Sequence, residues 1–334
     1  MPRRPARALA AATLAWLVSA APWIWLPSDP PLAPAEGGIA VDESPAPSAE
    51  EPAHALAFDP EQVMFDQRAL LDAGLGALRP QTPGQPDLYV VAFAGDAEEA
   101  VFGNEADYVQ RLFSTRFGAQ GRVLVLENNP ETTAQRPLAT WTNLHYALQA
   151  IAQIMDPAED ILLVYLSSHG SEEHELLVDL DPLPLDQIGP ADLAEALATE
   201  PPMPSRVVIV NACYSGGFVD ALRGESSLVI TSARADRTSF GCGADADITW
   251  FGRAFLVDAL NRTTSMRQGF ELARSQVAEW EHAEGEEPSE PQIATTPAIE
   301  AKLERWRATL PEAPAVPFSP SNPSGPEEPG QREY

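Results

Sequence analysis

The feature that most constrains this chain is a series of short apolar runs that do not alternate with polar residues. Leu88-Tyr89-Val90-Val91-Ala92-Phe93-Ala94 ends at Gly95, and Arg122-Val123-Leu124-Val125-Leu126 follows Gly121. Ile161-Leu162-Leu163-Val164-Tyr165-Leu166, Val207-Val208-Ile209-Val210 and Leu228-Val229-Ile230-Thr231 continue the pattern. A strand with one wet face alternates, whereas a strand buried on both faces reads as a continuous run. Amphipathic stretches over 98–117, 138–155, 191–199, 251–260, 266–281 and 298–307 predict helices around these strands, and 175–180 reads as a short hairpin element. Strands of this kind separated by helices predict an α/β fold, a mostly parallel central sheet flanked by helices on both faces.

The ends of the chain have a different composition. Of 334 residues, 33 are proline, and they crowd into 27–57 and the stretch beyond Leu310. Such segments bury too little apolar surface to offset chain entropy, so 27–57 is expected to be a disordered linker and 311–334 a disordered tail. Residues 1–26 carry Arg3, Arg4 and Arg7 ahead of an apolar run from Ala8 to Leu26, and Val18-Ser19-Ala20 fits signal-peptidase cleavage. The run is nearly long enough to span a bilayer, so residues 1–26 form either a signal peptide or a signal anchor. Either way the bulk of the chain is expected to be exported, either periplasmic or held at the inner membrane outside the cytoplasm through residues 8–26. The folded domain is then expected over 58–310.

A formal net charge of −28, from 49 acidic against 21 basic residues, excludes the basic surface that nucleic-acid binding needs. The only cysteines are Cys213 and Cys242, which in an exported protein suggests one disulfide. Against that stands the setting of Cys213. Parallel sheets bind ligands where the carboxyl ends of strands meet loops, and two chemically suited residues fall there. The third strand runs into Ser167-Ser168-His169-Gly170, and the fourth into Asn211-Ala212-Cys213-Tyr214-Ser215-Gly216-Gly217. A thiolate is the nucleophile that cysteine provides, and an imidazole beside it supports the anion and later protonates a leaving amine. A short helix after Cys213 would favour the same charge. Gly170, lacking a side chain, lets its N–H come close to a carbonyl oxygen, and with the Cys213 N–H it makes a candidate oxyanion hole.

These two blocks resemble the legumain-like cysteine peptidases, the family of legumain and of the catalytic subunit of the GPI-anchor transamidase, and most of all their bacterial members. The similarity extends through Asp87 to Gly95, Val229-Ile230-Thr231-Ser232-Ala233, Asp236 to Cys242, Trp250 to Phe255 and Pro288 to Gln292, so it covers roughly 60–308. It implies a caspase-like α/β fold, His169 and Cys213 as the catalytic dyad, a thioester acyl-enzyme, a peptide or protein substrate and no cofactor or metal. The family has a cysteine near position 242 without needing a disulfide there, which favours Cys242 as a small buried apolar residue. The specificity pocket departs from the pattern. Where legumains carry an Arg-His pair this chain has Gly103-Asn104, the acid before Ala-Cys is Asn211, the pocket serine falls at Ser239 and a later aspartate at Thr249. The resemblance therefore carries the chemistry without the asparagine preference, and Asn104, Asn211, Asp236 and Ser239 stand as pocket candidates.

Three alternatives remain open at this level. The acyl-enzyme chemistry serves a transpeptidase as well as a hydrolase, and a non-catalytic binding protein on the same fold would keep the frame. A metal site at His169 and His174 has a spacing that fits no standard zinc motif.

Overall fold

A computed structural model of the chain describes residues 57–322. The expected signal segment (1–26) and nearly all of the linker (27–57) lie outside the described residues, as do residues 323–334. None of the described helices is long and apolar enough to cross a membrane.

The central sheet has six strands in the order β2-β1-β3-β4-β5-β6. They are β1 (Leu88–Ala94), β2 (Val123–Glu127), β3 (Ile161–Ser167), β4 (Ser205–Asn211), β5 (Ser226–Thr231) and β6 (Gln292–Thr295). All neighbours pair in parallel except β5 with β6. Helices α1 (Pro60–Gly76), α2 (Ala100–Arg116), α3 (Trp141–Ile154), α4 (Pro190–Ala196), α5 (Val219–Leu222), α6 (Trp250–Gly252), α7 (Met266–Glu284) and α8 (Pro297–Arg307) complete it.

The two faces of the sheet explain the absence of alternation. Within β3, Ile161, Leu163 and Tyr165 pack with α2, α6, α7 and α8 on one side. Leu162, Val164 and Leu166 pack with α3, α4 and α5 on the other. Each strand residue thus meets an apolar layer whichever way it points, and the predicted mostly parallel sheet covered on both faces is what the chain forms. Helix starts follow ordinary capping chemistry. Asp59, Thr140, Ser265 and Thr296 each accept backbone N–H groups of the first turn, and Pro60 and Pro297 sit where a missing N–H costs nothing.

Several expectations need correction. The segment over 175–180 forms no hairpin of its own, because Leu176 bridges to both Gly170 and Ile188 and so ties the His169 loop down. The predicted helix over 251–260 is a single α turn followed by a wider π-helical stretch, Arg253–Ala259. The antiparallel edge strand β6 was not expected at all. It is short, with proline at 288 and 291 ahead of it, which masks its strand character.

The largest correction concerns the tail. Residues 311–322 are not disordered but run extended across α2. The Arg116 guanidinium donates to Ala313 O at 2.6 Å, Tyr108 OH to Val316 O at 2.7 Å, and Arg111 to Ser319 O at 2.7 Å. Asn104 Oδ1 accepts from the N–H groups of Ser321 and Asn322, both at 2.9 Å, and the Phe318 ring meets the Tyr108 ring edge-on. A proline-rich strand has few N–H groups and many free carbonyls, so it needs a surface of side-chain donors. Asn104, Tyr108 and Arg111 recur at helical spacing on one face of α2 and provide it.

Candidate active site

Register brings the two sequence blocks together. Ser167, the last residue of β3, pairs with Asn211, the last of β4, so His169 and Cys213 leave adjacent strands at the same level. The Ser168 N–H donates to Asn211 O and the Ala212 N–H to Ser232 Oγ, which fixes both loops at the sheet edge. Gly170 is required by the approach. A Cβ there would stand 2.1 Å from Cys213 O, far inside any tolerable contact. Tyr214 has a left-handed backbone (φ 55°), its N–H donates to Arg237 O, and its own carbonyl meets His174 Nδ1 at 3.1 Å. His174 thus braces the Cys213 loop and has no part beside His169. Among the described residues, no acceptor takes the Gly170 or the Cys213 N–H, which leaves both available to a bound oxygen.

The Cys213 sulfur is surrounded by donors. Its thiol is lowered to about 6, first by a hydrogen bond from the Cys242 thiol, then by Ser239 and by the charge of His169, with burial opposing. The Ser239 N–H lies 3.3 Å from Sγ and the Ser239 hydroxyl 3.8 Å away. Cys242 moves the opposite way, far above the ordinary thiol range, because it is the one that keeps its proton. Both cysteines are free. This extends one expectation and revises another. Cys242 packs against the core as expected of a small apolar residue, and its thiol also contributes to lowering Cys213. The helix after Cys213 is only a 3₁₀ turn, Ser215–Phe218, leading into the four-residue α5, too short for a helix dipole to account for the lowered thiol.

His169 is held by two acids and an aromatic ring. Its Nε2 lies 3.1 Å from Glu99 Oε2 and 3.6 Å from Asp96 Oδ2, and the Phe102 ring packs edge-on against it. With Nε2 turned to the acids, Nδ1 is the nitrogen left to serve the thiol. Asp96 is pushed up to about 7, first by burial and then by a hydrogen bond shared with Glu99. Glu99 is held low, first by that same bond and, against burial, by His169, so the proton of the pair rests on Asp96 and the anion faces the imidazole. Neither acid was singled out in the sequence. The only available signal was an acidic pair just after the first strand, which reads like any solvated charge run.

The pocket candidates divide. Ser239 is at the sulfur, as described. Asp236 is not in the site; it is an exposed partner of Arg234 at the surface. Asn104 and Asn211 are both buried and committed to the protein. Asn104 holds the 321–322 strap and also donates to Asp247 O. Asn211 belongs to a cluster around a residue that the sequence did not single out, Glu105. Its Oε2 accepts from Tyr165 OH (2.7 Å), Ser167 Oγ (2.6 Å) and Asn211 Nδ2 (2.8 Å). Its Oε1 accepts from the Thr249 N–H (3.0 Å) and hydroxyl (2.6 Å). Glu105 is fully buried, and both its oxygens are taken up by these internal bonds.

One comparison with known proteins agrees with the motifs. Residues 145–300 match the sequence model of the Peptidase C13 family. No curated protein sequence matches the chain. Among solved structures, caspase-1 from Spodoptera frugiperda is similar at 14% identity and a TM-score of 0.45, over 66% of this chain and 94% of that one. His169 and Cys213 both lie within the matched span, so the part of the chain that carries the candidate dyad is similar to the Peptidase C13 family.

Proposed function

We propose that the protein is an exported cysteine endopeptidase in which His169 and Cys213 act as a dyad through a thioester acyl-enzyme. The observation that carries this reading is the Cys213 thiol lowered to about 6 next to His169, at the carboxyl edge of the sheet. In the derived cycle the thiolate attacks the scissile carbonyl carbon, and the oxyanion faces the Gly170 and Cys213 N–H groups. The His169 imidazolium, its Nε2–H directed at Glu99, gives its Nδ1 proton to the leaving amine. Water then attacks the thioester, with Nδ1 as the base, and the acid product leaves. If an amine takes the place of water the same steps give transpeptidation. Export rests on residues 1–26, with membrane anchoring through residues 8–26 as the uncleaved form.

A second reading, a non-catalytic binding protein on the same frame, draws on Asn104 and Asn211, two pocket candidates that are buried and committed to internal bonds. Full-chain protein and its Cys213→Ala variant, assayed against a diverse peptide library, separate these readings. Cleavage by the parent and none by the variant is the expected result, and equal cleavage by both would sink the dyad. Products analysed with an added amine nucleophile report hydrolysis against ligation. Fractionation of the expressing cell tests export.

A further inference from the structure

We propose that Asp96, Glu99 and His169 form a binding site for a divalent transition-metal ion, with zinc as the fitting case, and that its occupancy switches the dyad off. Asp96 Oδ2, Glu99 Oε2 and His169 Nε2 lie within 4.8 Å of one another. The two distances from Nε2, 3.1 Å to Glu99 and 3.6 Å to Asp96, bracket the edge of about 3.4 Å expected between ligands some 2.0–2.2 Å from a tetrahedral zinc. The third edge, between the two carboxylates, is at most 4.8 Å.

A second observation points to a ligand. The Asp96 side chain is 1% exposed, and its Oδ2 finds no hydrogen-bond donor although it is aimed at the His169 ring. Asp96 Oδ1 is already occupied by the Glu98 N–H at 3.1 Å. Without a metal that oxygen has only the carboxyl of Glu99 and the imidazole as polar neighbours, and a cation would take the place of the proton that Asp96 shares with Glu99. One nitrogen and two carboxylate oxygens suit zinc better than calcium or magnesium, which prefer all-oxygen sites. Glu99, with a side chain 20% exposed, leaves an open side for entry and for a water as fourth ligand. The group of mutually close ligand atoms is Asp96, Glu99 and His169 without Cys213, so the thiolate is not among its ligands.

The binding part stands on this geometry alone, and the inhibitory part rests on the proposed dyad. Coordination uses the Nε2 lone pair, so the neutral ring keeps its proton on Nδ1. That nitrogen then has no lone pair with which to accept the thiol proton.

The test titrates zinc chloride calorimetrically into full-chain Cys213→Ala protein, which cannot bind metal through the nucleophile. One equivalent should bind, and Asp96→Asn, Glu99→Gln and His169→Ala in that background should each weaken binding at least about tenfold. Circular dichroism melts confirm folding, and Glu99→Gln, at the surface, serves if a buried variant does not fold. No binding to Cys213→Ala, or the same affinity in all three further variants, overturns the site. With the wild-type chain, zinc should stop peptide cleavage at concentrations that track the calorimetric affinity, and a chelator should restore it. Zinc binding that leaves cleavage untouched overturns the switch. A chain that binds zinc but cleaves nothing even after chelation retires the dyad while leaving the metal site in place.

Discussion

Replacing Cys242 with alanine removes one S–H group and no charge, so it isolates how the Cys213 sulfur is held. With the thiol at about 6, Cys213 is half ionised near that pH. An ordinary thiol, with a pKa of about 8.5, is only about 0.3% ionised at pH 6. That excess of over a hundredfold is cut back because a less basic thiolate is a weaker nucleophile. A Brønsted slope of about 0.4–0.5 over roughly 2.5 pH units removes about tenfold to eighteenfold. The net expectation is alkylation about tenfold faster than an ordinary thiol at pH 6, and slower than one at pH 8.5, where both are largely ionised. The midpoint of the pH profile, rather than a rate at one pH, is therefore the diagnostic quantity.

The hydrogen bond from Cys242 is the largest contributor to the lowered thiol. Hydrogen bonds to charged groups contribute about 1.5–3 kcal/mol, and S–H is a weak donor, so about 1.4 kcal/mol and one pH unit is the reasonable scale. The Cys242→Ala midpoint should rise from about 6 to about 7. The sign also reaches stability. The folded-state pKa lies below the unfolded value, so ionisation favours the fold above the unfolded thiol's pKa. That contribution is lost as pH falls through about 6. Iodoacetamide labelling across the acid-to-neutral range, followed by peptide mass mapping, gives the profile at Cys213. A midpoint that stays at the parental value in Cys242→Ala would refute the reasoning, and so would labelling of Cys242 ahead of Cys213 in the parent.

Other perturbations test the surroundings. Glu99→Gln removes the charge that faces His169 Nε2 and should lower kcat about tenfold or more while leaving KM nearly unchanged, which steady-state kinetics on one peptide reports. Glu105→Ala leaves Tyr165, Ser167, Asn211 and Thr249 without their buried acceptor and should destabilise the protein by about 3 kcal/mol or more in urea unfolding, with Glu105→Gln much milder. Ending the chain after Leu310 removes the strap from α2 and should lower Tm by several degrees, about 2 kcal/mol net of the ordering it avoids, whereas ending it after Asn322 should not.

The sheet was legible because burial on both faces leaves an unambiguous trace, and the dyad because each member sits at a strand end with its own glycine-rich or small-residue context. What was missed depends on contacts between distant segments. The 311–322 strap looks disordered by its own composition, and only the donors on α2, some two hundred positions earlier, make it ordered. Glu105 reads as one acid on a helix until Tyr165 and Thr249 are placed around it. Cys242 was weighed as half of a disulfide or as packing, two roles that spacing can suggest, whereas a thiol donating to a neighbouring thiolate is visible only in three dimensions.

Substrate preference follows from the same contacts. Asn104 and Asn211 are committed to internal bonds, which turns attention to a concave surface beside Glu99. A cavity of about 490 Å³ lies beside Glu99, walled by Glu98, Glu99, Gly103, Glu127, Asn129 and Glu131 among others, with no basic residue in its lining. Glu127 is neutralised by Arg136, but Glu98 and Glu131 face solvent with nothing basic opposite them in that wall. A lysine or arginine of the substrate within about 6 Å of two such carboxylates gains on the order of 1 kcal/mol at surface dielectric, roughly fivefold in KM. That gain is electrostatic and solvent-screened, so it should shrink between low and physiological salt. Matched peptides that differ only by lysine against glutamate at each position beside the scissile bond give the comparison. One position at which lysine lowers KM, with the advantage fading as salt is raised and reduced in Glu131→Gln, fits a cavity that selects by charge. Equal KM values at every position mean that the acidic wall does not contact substrate, and that the chain's overall negative charge serves solubility alone.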